Sequence, residues 1–360
     1  MKITKLFALA LATFSIVGCS KETPEPGEKP TGDAVLVANN NSVEVNTPIE
    51  FTVTAVDGTD LTAEAVIYDK SHDYAVVSNP YTPTMDGEYE FYAVAGNIIT
   101  PSIKVNVVPT IPALPEDGQP SNTSFNHRIL LVDHTGNTCG YCPKMMDALK
   151  EVAETGDYHS KYYEAMAHTY STSDPAYSGA ANVVSSHHGV SGYPTLTYNF
   201  YHSTSSSYNA AHIMGQIDAL WKAEGADAGI AAAVTLASTS VIVNTEVKAA
   251  KANDYRVTAW LLEDGIYAKQ TNATEEWMNT HDNAIRQRAT SDDISGIDLG
   301  TLAEGQTAST ALTLKLIGTK WVRENLKVMV IVSAKNDKNK FEVANVAICP
   351  VNDVVSYDYK

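Results

Sequence analysis

Cysteine, positive charge and long hydrophobic runs are all scarce in this sequence of 360 residues. Only four cysteines occur, and none lies between residues 20 and 138, so a domain in that stretch must be held by packing alone. Twenty-five lysines and arginines stand against 42 acids, giving a net charge of −17. Such an acidic chain lacks the positive surface that nucleic acid and anionic lipid require, which excludes them as electrostatic partners.

The single long apolar run is at the N-terminus. Two lysines precede "LFALALATFSIVG" (6–18), which ends at Cys19. Thirteen residues are too few to span a bilayer and are typical of a signal peptide. The ending "IVGC" resembles a bacterial lipobox, in which the cysteine after the cleavage point carries lipid; an ordinary signal peptide with an incidental cysteine is the alternative. We predict a lipoprotein signal peptide over 1–18 and lipidation of Cys19.

Two segments follow that differ sharply in composition. Residues 19–32 are polar and rich in proline and glycine, which predicts a flexible tether. Residues 33–108 alternate apolar and polar positions as half-buried strands do. Within them "MDGEYEF", with Tyr89 and Phe91, resembles the tyrosine corner of immunoglobulin-like domains, so an Ig-like β-sandwich is expected.

The remaining sequence predicts a linker and two further domains. Four prolines in 109–124 indicate a stiff linker. In 125–225 strand and helix patterns alternate, which predicts an α/β sandwich. Residues 226–360 contain five strand-like runs, beginning with "AAVTLASTSVIVNTEVKA", and predict two packed sheets. The expected fold class is therefore multi-domain α+β, with a C-terminal β-sandwich.

The chemistry of the chain centres on "CGYC", residues 139–142. A thiolate is stabilised at a helix N-terminus, so Cys139 is the candidate nucleophile if a helix begins near Cys142. Cys142, one turn later, can then resolve a mixed disulfide. We expect Cys139 to be exposed, Cys142 to be buried and the pair to be oxidised outside the cytosol. Cys349 lies in an alternating run and is predicted to be a buried core thiol.

Two further features accompany the cysteine pair. Asp133 precedes Cys139 by six residues, and "GYPT" supplies Tyr193-Pro194, a candidate cis peptide bond. At these positions the chain resembles the thioredoxin superfamily. The resemblance implies that Asp133 is a buried proton relay with a raised pKa, and that Pro194 faces the disulfide while the Tyr193 backbone pairs with a substrate strand.

One residue departs from the thioredoxin pattern. Thr138 stands where thioredoxins carry tryptophan. An isomerase-like or substrate-specific role therefore remains open beside a reductase-like one.

A metal site is the competing interpretation of the two cysteines. It would need two more ligands, and no candidate histidine has a tight C-x-x-C or H-x-x-x-H spacing. The candidates are His134, His168, His187 and His188. A thiolate and imidazole set would favour copper.

A wider resemblance involves "AWLLEDGIYAKQ" (259–270) and "HDNAIRQ" (281–287). With the lipobox and the thioredoxin-like segment, these motifs make the chain similar to the twenty-eight-kilodalton outer-membrane protein family of Bacteroidota over roughly residues 122–350. Five polar side chains from the motifs could form a hydrogen-bonded network that fixes loop geometry or, less simply, binds a ligand or partner. They are Glu263, Gln270, His281, Asn283 and Arg286.

Two functions follow from these features. The first is a thiol–disulfide oxidoreductase or isomerase, lipid-anchored at the outer membrane through Cys19, that acts on thiols or disulfides of envelope or surface proteins. It needs no cofactor besides the Cys139–Cys142 disulfide. The second is a non-enzymatic surface-binding, adhesion or structural lipoprotein that keeps the pair as a structural or vestigial disulfide.

Overall fold

The computed structural model describes residues 30–202, 204–289, 293–317 and 320–360. The predicted signal peptide, Cys19 and most of the tether lie outside these residues. The described chain divides into two compact units. One comprises residues up to 43 together with 47–82 and 88–106, and the other comprises 44–46, 83–87 and 107–360.

The N-terminal part is built from strands, as the alternating pattern predicts. They are β1 (Ala34–Ala38), β2 (Ser42–Glu44), β3 (Phe51–Ala55), β4 (Val66–Asp69), β5 (Ala75–Val77), β6 (Gly87–Ala95), β7 (Ile98–Ile99) and β8 (Ile103–Val108). One sheet has the order β2-β8-β6-β4-β5 with β7 paired to β6, and β1 pairs with β3. Tyr89 and Phe91 of β6 are buried, and the Phe91 ring lies 4.9 Å from that of Phe51. Aromatic packing therefore supplies the core that no cysteine could.

The second unit begins with mixed strands and helices and continues with strands. The first group is β9 (Ile129–Thr135), α1 (Cys142–Glu154), β10 (Tyr162–His168), α2 (Gly179–His187), β11 (Thr195–Tyr198), β12 (Thr204–Ser205) and α3 (Ala210–Leu220). The second group is β13 (Ala228–Leu236), β14 (Ser240–Ala249), β15 (Asn253–Glu263), β16 (Ile266–Tyr267), β17 (Thr280–His281), β18 (Ala284–Arg288), β19 (Ile297–Leu302), β20 (Thr307–Lys315), β21 (Leu326–Lys335), β22 (Phe341–Pro350) and β23 (Val354–Val355). None of the helices among the described residues has the length and apolar character needed to cross a membrane.

One nine-stranded sheet connects the two groups. Its order is β12-β11-β9-β10-β18-β15-β21-β22, with β19 paired to β15. Strand β10 is parallel to both β9 and β18, so the sheet formed by 125–225 continues directly into strands of 226–360. The predicted boundary after residue 225 therefore does not separate two compact units, because β10 and β18 share one sheet.

The alternation along β9 decides what lies under α1. Ile129 and Leu131 face α1 and α3 in one core, whereas Leu130 and Val132 belong to a second core with α2 on the opposite side. Because successive side chains point to opposite faces, Asp133 lies on the α1 side with Ile129 and Leu131. The strand thus places a carboxyl group beneath the helix that follows the cysteine pair.

A second sheet packs against the antiparallel strands of the nine-stranded sheet. Its order is β20-β14-β13-β23, and its apolar residues share a core with β15 and β21. Two packed sheets were expected here, but the first strand-like run is a hairpin rather than one strand. Its turn is closed by the Ala237 N–H, which donates to the Ser240 carbonyl at 2.8 Å. "ASTS" supplied the small polar residues that such a turn accepts.

The proline-rich segment is anchored on the second unit. Lys248 of β14 is 1% exposed, and its Nζ donates to Asp117 at 2.9 Å, to the Pro120 carbonyl at 2.7 Å and to the Tyr359 hydroxyl at 3.1 Å. A buried ammonium needs such a full set of partners. The segment predicted as a linker is therefore held down at its C-terminal half.

Candidate redox site

Cys139 and Cys142 form a disulfide at the start of α1. The S–S distance is 2.11 Å. Helix α1 begins at Cys142, as the sequence predicts, and Pro143 occupies its first turn, where a missing N–H costs nothing. The helix has no acidic residue in its first turn and no side-chain N-cap. Its N-terminal dipole is therefore left to stabilise a thiolate at Cys139 when the disulfide is reduced.

The expected exposure of Cys139 is wrong. Cys139 is 2% exposed and Cys142 is fully buried. A segment 131 residues further along the chain packs on the same loop: Gln270 Nε2 donates to the Cys139 carbonyl at 3.0 Å. The neighbouring Thr271 N–H donates to the Asn137 carbonyl at 2.7 Å. Sequence reasoning could not anticipate this cover, since no local pattern links the two segments.

The cover extends to the middle of the CGYC motif. Asn272 Nδ2 donates to the Gly140 carbonyl at 3.1 Å. A Cβ on Gly140 would stand 3.0 Å from that same amide nitrogen, so glycine permits the close approach. Tyr141, in contrast, is 64% exposed. The Tyr141 ring is therefore exposed to solvent, while residues 270–272 donate hydrogen bonds to the backbone carbonyls of the loop.

Asp133 is completely buried, and neither carboxylate oxygen has a hydrogen-bond partner among the described residues. Burial raises the pKa of Asp133 well above its ordinary value, and the nearby Glu164 carboxylate raises it further. A carboxyl group in this state holds its proton at higher pH than an exposed aspartate does. Asp133 can therefore carry a proton beneath the disulfide-bearing helix.

The Tyr193-Pro194 peptide bond is cis, as predicted, and Pro194 is buried. Thr195, the first residue of β11, pairs with His134 of β9, which places Pro194 at the end of β9 that leads into the disulfide loop. The Tyr193 hydroxyl lies 3.0 Å from the Thr169 hydroxyl, at the end of the adjacent β10. The cis-proline turn therefore lies at the ends of β9 and β10.

An aspartate that sequence analysis missed braces the loop before Cys139. Asp174 Oδ2 accepts from the Asn137 N–H at 2.7 Å and lies 2.9 Å from His168 Nδ1. Burial alone would raise the pKa of Asp174, but the hydrogen bond and charge of His168, together with the backbone N–H groups of Asn137 and Ala176, lower the pKa to about 2. The aspartate lies in an irregular Ser/Thr-rich stretch, so no periodic signal marked it.

The histidines considered as metal ligands are engaged elsewhere or scattered. Both His134 ring nitrogens face hydroxyls, Ser185 at 2.8 Å and Thr197 at 3.0 Å. His187 Nε2 lies 3.1 Å from a backbone carbonyl, and burial lowers the pKa of His188 to about 4. Among the described residues no group of three His, Cys, Asp or Glu side chains is arranged to hold a metal ion.

The five polar residues predicted as one network make different direct contacts. Glu263 and Arg286 form a buried pair at 2.6 Å, and Arg286 also donates to the Pro175 carbonyl at 2.9 Å. This pair lines a cleft of about 630 Å³. Gln270 instead contacts the disulfide loop.

The other two members of the predicted network have structural contacts of their own. The His281 ring packs against that of His168 at a centroid distance of 4.8 Å, and its Nε2 lies 3.1 Å from the Ala268 carbonyl. Asn283 has a positive φ of 56° and pairs through its backbone, donating to Asp264 and accepting from Met166.

Comparison with known proteins bears out the wider resemblance. The model of the outer membrane protein Omp28 family matches residues 181–352, slightly under half of the chain. The match includes Pro194, Gln270 and the Glu263–Arg286 pair but begins after the cysteine pair. The chain is thus similar to this family through its C-terminal part, while the disulfide and Asp133 lie outside the matched region.

Two solved structures are also similar to the chain to different degrees. HBP35 of Porphyromonas gingivalis is 17% identical with a TM-score of 0.52, and the match covers 63% of this chain and 76% of that one. This likeness concerns the fold alone. Domains 4–9 of surface layer protein SbsC match at 8% identity over 90% of this chain and 51% of that one, with a TM-score of 0.18 that carries no argument. No curated protein matches.

Proposed function

We propose that this chain is an outer-membrane lipoprotein, anchored through Cys19, whose Cys139–Cys142 disulfide exchanges with thiols or disulfides of envelope or surface proteins. The observation that carries the proposal is a disulfide at the N-terminus of α1, with Asp133 on the strand beneath it, fully buried and without a hydrogen-bond partner among the described residues. Similarity to the Omp28 outer membrane protein family supports the location.

The surrounding architecture supports a thioredoxin-like interpretation of 125–225. The segment β9-α1-β10 joins two parallel strands through the helix that carries Cys142, and β11 follows a cis proline. Residues 33–108 fit an Ig-like sandwich as an added module, and 226–360 a β-sandwich fused to the central sheet.

The exchange balances with the disulfide as the only redox group. A partner thiolate attacks Cys139 Sγ, the S–S bond breaks, and its electron pair remains on Cys142 Sγ, which takes a proton from Asp133. A second partner thiolate then attacks the partner sulfur of the mixed disulfide and releases Cys139 as a thiolate. The partner dithiol is oxidised and the chain's disulfide is reduced.

One observation favours the second function, a binding or structural lipoprotein with an inert disulfide. Cys139 is only 2% exposed, and the loop around it is held by Gln270, Thr271 and Asn272. A partner protein would have to displace or fit around this segment to reach the sulfur.

A reduction potential with thiol trapping separates the two functions. We expect a potential above about −300 mV, because structural disulfides lie below that value. We also expect a Cys142→Ser variant to form mixed disulfides with envelope proteins through Cys139. The control is the Cys139→Ser, Cys142→Ser double variant, which retains Cys349 and should capture nothing. A potential below about −300 mV together with no capture by Cys142→Ser would establish the structural role.

A further inference from the structure

A second acid lies beside Asp133 in the interior of the central sheet. Glu164 is on β10, the strand that pairs with β9 in parallel. The register sets Glu164 opposite Leu131 and Asp133 opposite Met166. Asp133 and Glu164 therefore point to the same face of neighbouring strands, two residues apart in register, with Cα atoms separated by roughly 8 Å for standard sheet spacings.

Neither acid is paired in the way a structural acid would be. Both Asp133 oxygens and Glu164 Oε1 are buried without a hydrogen-bond partner among the described residues. An unpaired buried carboxyl group is costly, whereas Glu263 in the same unit is matched by Arg286 at 2.6 Å. The two acids thus form a group that stability alone does not explain.

Glu164 also differs from Asp133 in its access to water. Asp133 is fully buried, but Glu164 is half-buried although its Oε1 is enclosed. One end of this side chain faces the interior and the residue as a whole reaches solvent. The residue as a whole therefore lies nearer to solvent than Asp133 does, although its carboxyl group is enclosed.

The charges around Glu164 favour proton exchange near neutrality. Burial raises the pKa of Glu164 to about 7, with the negative charge of Asp282 adding to the effect and Lys327 of β21 opposing it. Its own strand contributes Tyr162, whose pKa burial and the Glu164 charge both raise, so this phenol is neutral. From β9 the facing group is Asp133 itself.

We propose that Glu164 is the second proton carrier of the redox centre, acting through Asp133 to connect the buried Cys142 sulfur with solvent. This inference rests on the proposed thiol–disulfide exchange. It is carried by the shared face of the two acids, by their three buried oxygens that have no partner among the described residues, and by the partial exposure of Glu164.

The proton balance assigns each group one transfer. When a partner thiolate opens the disulfide, the Cys142 thiolate takes the proton of Asp133 and becomes a thiol. The Asp133 carboxylate left behind is then reprotonated by the carboxylic acid of Glu164, and Glu164 recovers its proton from water. In the reverse reaction Asp133 accepts the Cys142 proton and passes it outward along the same path.

The test is the pH profile of disulfide reduction in the purified full chain. The rate with dithiothreitol is divided by the thiolate concentration and followed by maleimide gel shift. In the unsubstituted chain this corrected rate should fall as the pH rises through about 7, because Glu164 then loses the proton it must pass on. Glu164→Gln should remove that inflection and slow reduction about tenfold near pH 6, less than the loss of a direct general acid.

Two further variants make the test specific. Glu151→Gln alters an exposed acid on α1 and should leave both rate and profile unchanged. In an Asp133→Asn background, Glu164→Gln should have no additional effect, since its partner in the relay is gone. Circular dichroism and urea midpoints check that each variant folds.

The outcomes separate the inference from the function it rests on. An active chain whose Glu164→Gln variant keeps the inflection overturns the role of Glu164 only. A Glu164→Gln loss that persists in the Asp133→Asn background also overturns it, because the effect would not pass through Asp133. A disulfide with a potential below about −300 mV that captures no partner removes the proposed function and the relay together.

Discussion

Two regions of the same nine-stranded sheet bury charged groups in opposite ways. At β15 and β18 the carboxylate of Glu263 meets the guanidinium of Arg286 at 2.6 Å and also accepts the Val322 N–H at 2.8 Å. At β9 and β10, both Asp133 oxygens and Glu164 Oε1 are buried without a hydrogen-bond partner among the described residues. In the first region the carboxylate is neutralised by a cation. In the second region the carboxyl groups hold protons that they can transfer.

The two regions therefore have different roles within one sheet: the paired region holds strands and loops together, and the unpaired region can exchange protons. A buried pair that also bonds backbone groups fixes how strands and loops meet, as Arg286 does by binding the Pro175 carbonyl. An unpaired buried acid reduces stability, but its raised pKa lets it exchange protons near neutral pH. Substitutions in the two regions should therefore change stability in opposite directions.

The largest effect is expected at the paired site. Arg286→Ala leaves the Glu263 carboxylate buried without its cation, so the free energy of unfolding should fall by about 3–5 kcal/mol. Urea unfolding of the purified chain measures it. Lys150→Ala is the matched control, because it breaks an exposed pair with Glu154 that should contribute less than about 1 kcal/mol. Equal losses in the two variants would show that the buried pair has no special structural role.

The opposite sign is expected at Asp133. Its pKa is higher in the folded than in the unfolded chain, so the folded state loses stability as the pH rises from about 4 toward the folded pKa. Asp133→Asn removes that loss. The variant should be more stable than the unsubstituted chain at pH 8 and indistinguishable from it near pH 3.

Urea unfolding at these two pH values is the measurement for Asp133. Asp147→Asn, which alters an exposed acid of α1, should show no such difference between pH 3 and pH 8. An Asp133→Asn variant that is less stable than the unsubstituted chain at pH 8 would mean that the carboxylate has a stabilising partner, and the contrast with Arg286 would fail.

Local features of the site could be predicted from the sequence because they depend on local pattern. The apolar run in "ILLVD" predicts a strand and the helical spacing after the cysteines predicts the start of α1 near Cys142, and both elements are present. The cis bond before Pro194 came from a four-residue context. The β-rich, multi-sheet character of the chain likewise follows from its many alternating runs.

What the sequence could not reveal depends on pairing between distant segments. The burial of Cys139 arises together with contacts from Gln270, 131 residues away, and β10 pairs with β18 across more than a hundred residues. The partner of Gln270 was missed for the same reason: Gln270 and Glu263 lie in one motif, but Glu263 bonds to Arg286 whereas Gln270 bonds to the disulfide loop. Glu164 was passed over because one acid inside "YYEAMAHTY" gives no sign of its neighbour on β9.

The smallest effect is expected at Gln270, whose side chain contacts the loop that carries the disulfide. Gln270→Ala removes the Nε2 donor to the Cys139 and Gly136 carbonyls, bonds of 3.0 and 3.4 Å, and should cost about 1 kcal/mol of stability. Because these bonds hold the loop that carries the disulfide, their loss should raise loop opening about fivefold, the factor that 1 kcal/mol represents. Dithiothreitol should then reduce Cys139–Cys142 faster by a similar factor. Asn272→Ala removes only the exposed bond to Gly140 and should accelerate reduction less. Unchanged rates in both variants would mean that the C-terminal segment lies on the loop without restraining it, and that the burial of Cys139 is set by the loop alone.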